Sequence, residues 1–487
     1  MADHAVVVAG AGPTGLMLAG ELALAGIDVA IVERRGNSDE LIGSRAGGMT
    51  SRTIEVLDQR GIADRFLSQG WTGQIGHYSG ISIDISDLPT RHNYGLGLPQ
   101  YRIEGILADW VSELGVPIYR GREVKSFTQD DARVDVEICD GPPLRAAYLV
   151  GCDGGRSVIR KVAGIEFPGW DPSMSCLLAD VEMDDHPPWG MHRHGGFHSF
   201  FKLEDGGPVR VMVAEPHLEQ TGEPTLRELR DALIAVRGTD YGIRSAIWVS
   251  RFTDVTRQAA YYRDRRVLLA GDAAHVHFPV GGQGLNTGIQ DAANLGWKLA
   301  QVINTTSPER LLDTYQDERH PVAAGVLRNT MAQTALIAPG ERLDALRDTV
   351  SELLNMDEPR KRIAAMMTGL DIQYDLGNGH PLLGHRMPDL DLLTPTGPLR
   401  LFTLLHDARA VLLNLGTPWD FDISSWAHRV KAIDAEYAGP WEIPVLGEVT
   451  APEAVLVRPD GYIAWVGDGT DTGLHAALTT RLGLKEN

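Results

Sequence analysis

The chain has 487 residues, 43% hydrophobic and 23% charged, and 45 basic against 65 acidic side chains leave a formal net charge of −20. That length suits roughly two to four packed domains of ordinary globular composition, and the acidic excess argues against a nucleic-acid footprint or an anionic membrane surface. No apolar run reaches membrane-span length and no basic segment precedes the first apolar strand, so a cytoplasmic protein acting on small molecules is expected.

Residues 5–33 set the frame. The run Ala5-Val6-Val7-Val8-Ala9 leads into Gly10-Ala11-Gly12-Pro13-Thr14-Gly15, an Ala/Leu-rich segment follows to Gly26, and Asp28-Val29-Ala30-Ile31-Val32-Glu33 closes the unit. Strand, glycine turn, helix and second strand in that order predict a dinucleotide-binding βαβ unit. Gly10 permits the tight turn, Gly12 lets backbone approach a pyrophosphate, and Gly15 lets helix and strand pack closely. The phosphates then meet the amides and positive dipole end of a helix beginning near Pro13. Glu33 stands 18 residues beyond Gly15, near the spacing at which a carboxylate meets ribose hydroxyls. The motif alone admits NAD or FAD; its place at the N-terminus favours FAD.

Beyond Arg34 the segment Ser44-Arg45-Ala46-Gly47-Gly48 enters a helix expected over 51–61. Arg45 reads equally as a surface ion-pair partner or a cofactor contact beside two glycines. Short strands are expected over 74–103, a helix over 103–114, and a crossover ribbon through 123–127 and 134–138. An apolar strand then runs into Cys152-Asp153-Gly154-Gly155-Arg156-Ser157. Asp153 either caps the helix expected over 156–163 or belongs to the site at the sheet edge, and it can do both.

From 164 to 263 the alternating, aromatic-rich texture predicts a separate antiparallel sheet with one helix over 226–236. The strand Val267-Leu268-Leu269 next ends in Gly271-Asp272, and Pro279-Val280-Gly281-Gly282-Gln283-Gly284-Leu285-Asn286 opens a long helix. Its apolar stripe is Leu285, Ile289, Ala292, Leu295, Leu299 and Val302. Glycine-rich backbone can touch a flat ring, and the helix end aims free amides and a positive dipole at the ring's edge, where a reduced flavin gathers negative charge. Asp272 can accept from a ribityl hydroxyl. Helices are expected over 308–337 and 341–368, and a Pro/Gly-rich joint over 378–398. Strand, helix, strand, a hairpin turning at Pro459-Asp460-Gly461 and a final helix make a small α/β layer after it. Cys139, Cys152 and Cys176 lie far apart and read as buried fillers. The pairs His192/His194 and His275/His277 have the form of metal ligands but lack a neighbouring acid or thiol set.

The three motifs in order, Gly10-x-Gly12-x-x-Gly15 with Glu33, Cys152 through Arg160, and Gly271-Asp272, resemble the class A flavin-dependent monooxygenases, the aromatic hydroxylases built like para-hydroxybenzoate hydroxylase. The region after 380 resembles the thioredoxin-like tail of the polyketide-tailoring hydroxylases and rifampicin monooxygenase, without the redox C-x-x-C. The resemblance implies an α/β fold: a Rossmann-like FAD-binding domain over 1–163 and 264–380, an inserted antiparallel β substrate domain over 164–263, and a thioredoxin-like α/β domain over 381–487. FAD would be the cofactor, NADPH or NADH the co-substrate, and O2 and a small aromatic molecule the other partners, in a monomer or homodimer. Carried over residue by residue, Gly10, Gly12, Pro13, Thr14 and Gly15 would hold the pyrophosphate. Glu33, with Arg34 beside it, would meet the adenosine ribose. Arg45 and Gln100 would lie on the ribityl-phosphate side, Val124 would contact adenine through its backbone, and Asp272 would meet the ribityl chain. Gly284, Leu285 and Asn286 would lie against the isoalloxazine, with Pro279 and Gly281 nearby, and Asp153 would serve FAD and a visiting nicotinamide.

The implied reaction reduces FAD with NAD(P)H and passes oxygen from a C4a-hydroperoxide to a polycyclic aromatic or phenolic substrate, with no protein nucleophile required. Baeyer-Villiger insertion or antibiotic inactivation on the same scaffold is the alternative. A halogenase is disfavoured because Trp441-Glu442-Ile443-Pro444 lies in the wrong domain for that family's tryptophan motif, and a non-catalytic flavin binder is the remaining class. His77, Tyr78, Phe197, Phe200, Phe201 and His217 could line the substrate pocket, and core packing explains them equally well.

Overall fold

A computed structural model describes residues 3–36, 46–202, 206–218, 222–416 and 423–483. Its main sheet orders the strands Arg263–Asp264, Val267–Leu269, Leu144–Gly151, His4–Ala9, Val29–Glu33 and Ile118–Arg120. The five from Val267–Leu269 onward run parallel. Parallel strands covered on both faces demand unbroken apolar runs, and Val6, Val7 and Val8 are fully buried. Val124–Gln129 and Val134–Ile138 extend this sheet as an antiparallel ribbon on Leu144–Gly151. The strands ending at Ala9, Gly151 and Leu269 therefore finish at one edge, where ligands bind in open α/β sheets.

A second, five-stranded antiparallel sheet orders Gly190–His192, His198–Lys202, Val209–Ala214, Ser175–Met183 and Ile243–Thr253. Alternation along its strands serves two cores. Leu177, Val211 and Val213 pack under the helix Leu226–Arg237. Cys176, Leu178 and Phe252 face Phe278, Val280 and Ile337 on the side of the main sheet. The helix itself is well delimited: Thr225 and Glu228 form a capping box, and Gly238 ends it at φ 76°.

Several expected elements are redrawn. The segment 341–368 is two helices, Glu341–Leu354 and Asp357–Thr368, because Met356 is extended at ψ 142°. The helix expected from 103 begins at Gln100, immediately after Pro99, a common placement since proline cannot continue a helix from within. Helix Gln283–Ile303 is buried around its whole circumference over residues 286–300, so the apolar stripe describes only part of its contacts. The C-terminal sheet orders Val430–Asp434, Ala410–Asn414, Ala454–Val457 and Ile463–Gly467, the first two parallel. Among the described residues only a 3-10 turn, Ser424–Trp426, stands where a helix was expected between these parallel strands. Among the described residues no helix is long and apolar enough to cross a membrane.

Candidate active site

The glycine turns of the three motifs come together at the strand ends. A Cβ on Gly10 would stand 2.4 Å from the Cys152 carbonyl oxygen and 3.3 Å from the Asp153 Cα. One on Gly15 would meet the Gly10 carbonyl oxygen at 2.0 Å, and one on Gly271 the Thr14 hydroxyl at 2.6 Å. The Ala270 amide donates to the Gly151 carbonyl at 3.0 Å. Gly12 differs, since a Cβ there would meet nothing within 4 Å. Gly10 and Gly15 are thus required by close packing, whereas Gly12 faces open space at the start of helix Pro13–Leu24. That opening, at amides without intrahelical partners, fits a pyrophosphate.

Glu33 ends its strand facing the same turn. Its Oε2 accepts from the Ala11 amide at 2.6 Å, and Oε1 accepts from the Arg35 amide and guanidinium. Burial pushes the carboxyl up, but these donors outweigh it and hold it below the ordinary carboxylate range. Oε2, with one donor, keeps a lone pair that a ribose hydroxyl could use. Arg35 also reaches Glu104, which accepts from Gln100, and Gln100 in turn accepts from the Ala46 amide at 3.1 Å. The chain of contacts joins Glu33 to Gln100. The Arg122 amide donates to the Glu33 carbonyl at 3.0 Å, two residues ahead of Val124, which is buried at the start of its strand. Arg34 is exposed, and Arg45 lies outside the described residues.

Asp153 holds the start of the next helix without being its cap. Its Oδ2 accepts from the Val158 and Ile159 amides, while Ser157 is the residue that caps the helix Val158–Val162. The other oxygen, Oδ1, is buried without a partner, which leaves an acceptor for a bound group.

At the other motif, Gly281 and Gly282 adopt φ 72° and 64° and turn the chain into the helix Gln283–Ile303, a backbone only glycine adopts freely. Pro279 is exposed just ahead of them. Asp272 is exposed, and its Oδ1 lies 3.7 Å from where a Cβ on Gly284 would be. Leu285 is partly buried against the main core. Asn286 is buried and ties the helix start to the Gly48 region: its Oδ1 accepts from the Thr50 amide at 2.8 Å and its Nδ2 donates to the Gly282 carbonyl at 2.7 Å.

Other residues of the site have no motif to announce them. His277 Nδ1 lies 2.7 Å from the Phe278 carbonyl, so Nε2 is left as an acceptor; it is buried, has no partner, and stands 3.6 Å from the Gly284 Cβ position. Burial holds this imidazole below its ordinary pKa, which keeps it neutral. Asp291, fully buried, accepts from the Gly271 amide at 3.2 Å, from His275 Nε2 at 2.7 Å and from Arg319 Nε at 2.7 Å. Arg319 also donates to the Thr287 carbonyl. This cluster fixes the Gly271-Asp272 turn against the helix. The nearest sequence signal is an ionised residue inside a helix otherwise written for burial.

Of the aromatic candidates, Phe197 packs edge-on against Phe278 at 6.2 Å, beside the glycine loop. Phe200 belongs to the opposite core with Tyr241, and Tyr78 packs with Leu336 and Met367. His77, Phe201 and His217 are exposed.

Comparison with known proteins gives two family matches, "FAD binding domain" over residues 3–330 and "Aromatic-ring hydroxylase, C-terminal" over 380–484. A Streptomyces rimosus subsp. rimosus protein named 12-dehydrotetracycline 5-monooxygenase/anhydrotetracycline 6-monooxygenase is 44% identical, with 98% of each chain covered. A rifampicin monooxygenase of Streptomyces venezuelae is 42% identical over 95% of each. The solved structure of the OxyS anhydrotetracycline hydroxylase from Streptomyces rimosus superposes with TM-score 0.91 at 43% identity, covering 98% of each chain. With matches spanning both halves and nearly its full length, the chain belongs to the FAD-dependent aromatic-ring hydroxylases and is a flavin monooxygenase.

Proposed function

We infer that this monooxygenase hydroxylates a polycyclic aromatic substrate of the polyketide or antibiotic type, using NADPH or NADH to reduce its flavin. The observation that carries this reading is the meeting of the glycine turns at one sheet edge, together with relatives named for acting on anhydrotetracycline and rifampicin. FAD, when bound, supplies the redox and oxygen-transfer chemistry; the chain binds, orients and excludes water.

In this assignment Gly12 and Thr14 present free amides to the pyrophosphate, Pro13 starts the helix without an N–H of its own, and Gly10 and Gly15 shape the turn. Glu33 accepts from the adenosine ribose, Gln100 and Asp153 Oδ1 bind along the cofactor, and Val124 lies beside adenine. Asp272 and His277 Nε2 accept from the ribityl hydroxyls. Gly284, Leu285 and Asn286 offer the helix's first amides to the ring edge, where the dipole stabilises negative charge. Phe197, Phe252, Phe278 and Val280 form an apolar wall between the two sheets that keeps the reacting space dry. Residues 1–163 and 264–380 act as the flavin domain, 164–263 as the substrate domain, and 381–487 as a structural tail. All three cysteines precede that tail, so it carries no thiol chemistry.

The test is purification followed by NAD(P)H oxidation with a panel of tetracyclic, angucyclic and ansamycin compounds. The expected protein is yellow, and one class of compound accelerates oxidation and gains a single oxygen atom by mass spectrometry. A colourless protein, or oxidation that no compound accelerates, overturns the assignment.

A further inference from the structure

One cavity beside the flavin loop has a charge pattern that the hydroxylase assignment leaves unused. It has a volume of about 270 Å³ and lies between the Ser79-Gly80 turn, the hairpin through Met191–Phe197, and the helices that carry Ile337 and Arg347. Two contacts connect it to the cofactor end. Phe197 lines the cavity and packs on Phe278, while Gln333 accepts from the Ser79 amide at 3.2 Å and stands 3.2 Å from the Cβ position of Gly281. The cavity is therefore one side chain removed from the glycine loop.

Met191, Phe197 and Ile337 give it an apolar body; His192, Arg193 and Arg347 give it basic groups. Their partners differ. Arg193 donates to the Leu336 carbonyl and pairs with Asp344, whereas Arg347 donates to the Ser79 carbonyl and, among the described residues, makes no ion pair. His192 Nε2 meets the Pro188 carbonyl and its ring stacks on His198 at 5.1 Å. Burial, and then the Arg193 charge, draw the Arg347 guanidinium below its ordinary pKa, against the pull of Asp348 and Asp344. A half-buried cation next to another cation, with no carboxylate of its own, is under-compensated. It is also a local positive site on a chain of net charge −20, which would attract an anion against the general field.

We propose that this cavity receives the acidic end of the substrate, an ionised enol, phenol or carboxyl group on the aromatic framework, with Arg347 as its counter-charge. A guanidinium presents two parallel donors to such a planar oxygen pair, and the apolar wall takes the adjoining ring. Resting on the hydroxylase assignment, this narrows the substrate class to acidic polycycles and makes Arg347 a specificity residue.

The test uses a matched pair, anthraquinone-2-carboxylate and anthraquinone-2-carboxamide, bound to the flavin-loaded protein and followed by equilibrium dialysis without turnover. The carboxylate is expected to bind about tenfold tighter, as a charge-assisted hydrogen bond provides. Arg347→Met should abolish the preference and Arg347→Lys should restore part of it. Asp344→Asn, on an exposed side chain, should increase the preference by freeing Arg193. Equal binding of the two probes by the unaltered protein, or a preference that survives Arg347→Met, overturns the proposal. Should Arg347→Met fail to fold, an unchanged preference in Asp344→Asn overturns it as well. Because flavin content is read separately by absorbance, loss of the hydroxylase assignment is distinguishable from loss of this one.

Discussion

Replacing Asp291 with asparagine should weaken flavin binding from a distance. Asp291 serves Gly271, His275 and Arg319 at once, and an amide of the same shape can accept from only part of that set because its NH2 meets a donor. Arg319, fully buried, then loses its carboxylate although it keeps the Thr287 carbonyl. Breaking such a pair from one side costs about 3–5 kcal/mol, a sizeable share of the roughly 5–15 kcal/mol that holds a domain. The part felt at the cofactor is smaller. Losing the hold on the Gly271 amide is worth about 1 kcal/mol, so the Kd for FAD should rise roughly fivefold. Flavin fluorescence during titration of the apoprotein measures this, beside urea denaturation.

Glu318→Gln is the control. Glu318 pairs with Lys298 and Arg458, and Lys298 stands 15 residues into the helix Gln283–Ile303, roughly 22 Å from its N-terminal end at 1.5 Å per residue. It should destabilise by a similar amount with FAD affinity unchanged. If both variants shift the Kd equally, or Asp291→Asn does not shift it, the idea that Asp291 positions the turn is wrong.

Asp272→Ala should lower the flavin retained after desalting, read from the absorbance spectrum, and full retention would remove Asp272 from the ribityl chain. Acid should act through His385, which is buried with neither ring nitrogen partnered; burial, and then Arg386, lower its pKa from 6.5 to about 4. Between those values the unfolded chain takes up a proton that the native chain refuses, so stability falls as pH drops through the window. His385→Asn should flatten the pH dependence of the urea midpoint there, and an unchanged slope would contradict the assignment.

The parts of the site that could be read in advance are those whose residue types have few alternatives. Gly10 and Gly15 are dictated by backbone at 2.4 and 2.0 Å, and such demands leave a fixed spacing. Val6, Val7 and Val8 announce a strand buried on both faces for the same kind of reason. Asp291, Arg319 and His277 could not be read, since their roles depend on partners supplied by distant segments. The aromatic strands were ambiguous because a period of two does not say which face meets the cofactor: Phe197 and Phe200 lie in opposite cores. The break at Asn355-Met356 carries no glycine, and its signal is Pro359 in the first turn of the second helix, preceded by Asp357 and Glu358.

The tail's hairpin is set into the first half of the chain. Arg60 donates to the Pro459 carbonyl, Arg52 to the Asp460 carbonyl, and Arg458 grips Glu318, all out of solvent. A Cβ on Gly461 would collide with Gln59 at 2.4 Å. A gene cut at residue 379 would thus yield a front piece whose Arg52, Arg60 and Glu318 keep Glu55, Glu21 and Lys298 but lose the tail groups they also hold, and a back piece missing their counterparts. Swapping tails between relatives should succeed only when residues 52, 60 and 318 travel with the loop they clasp.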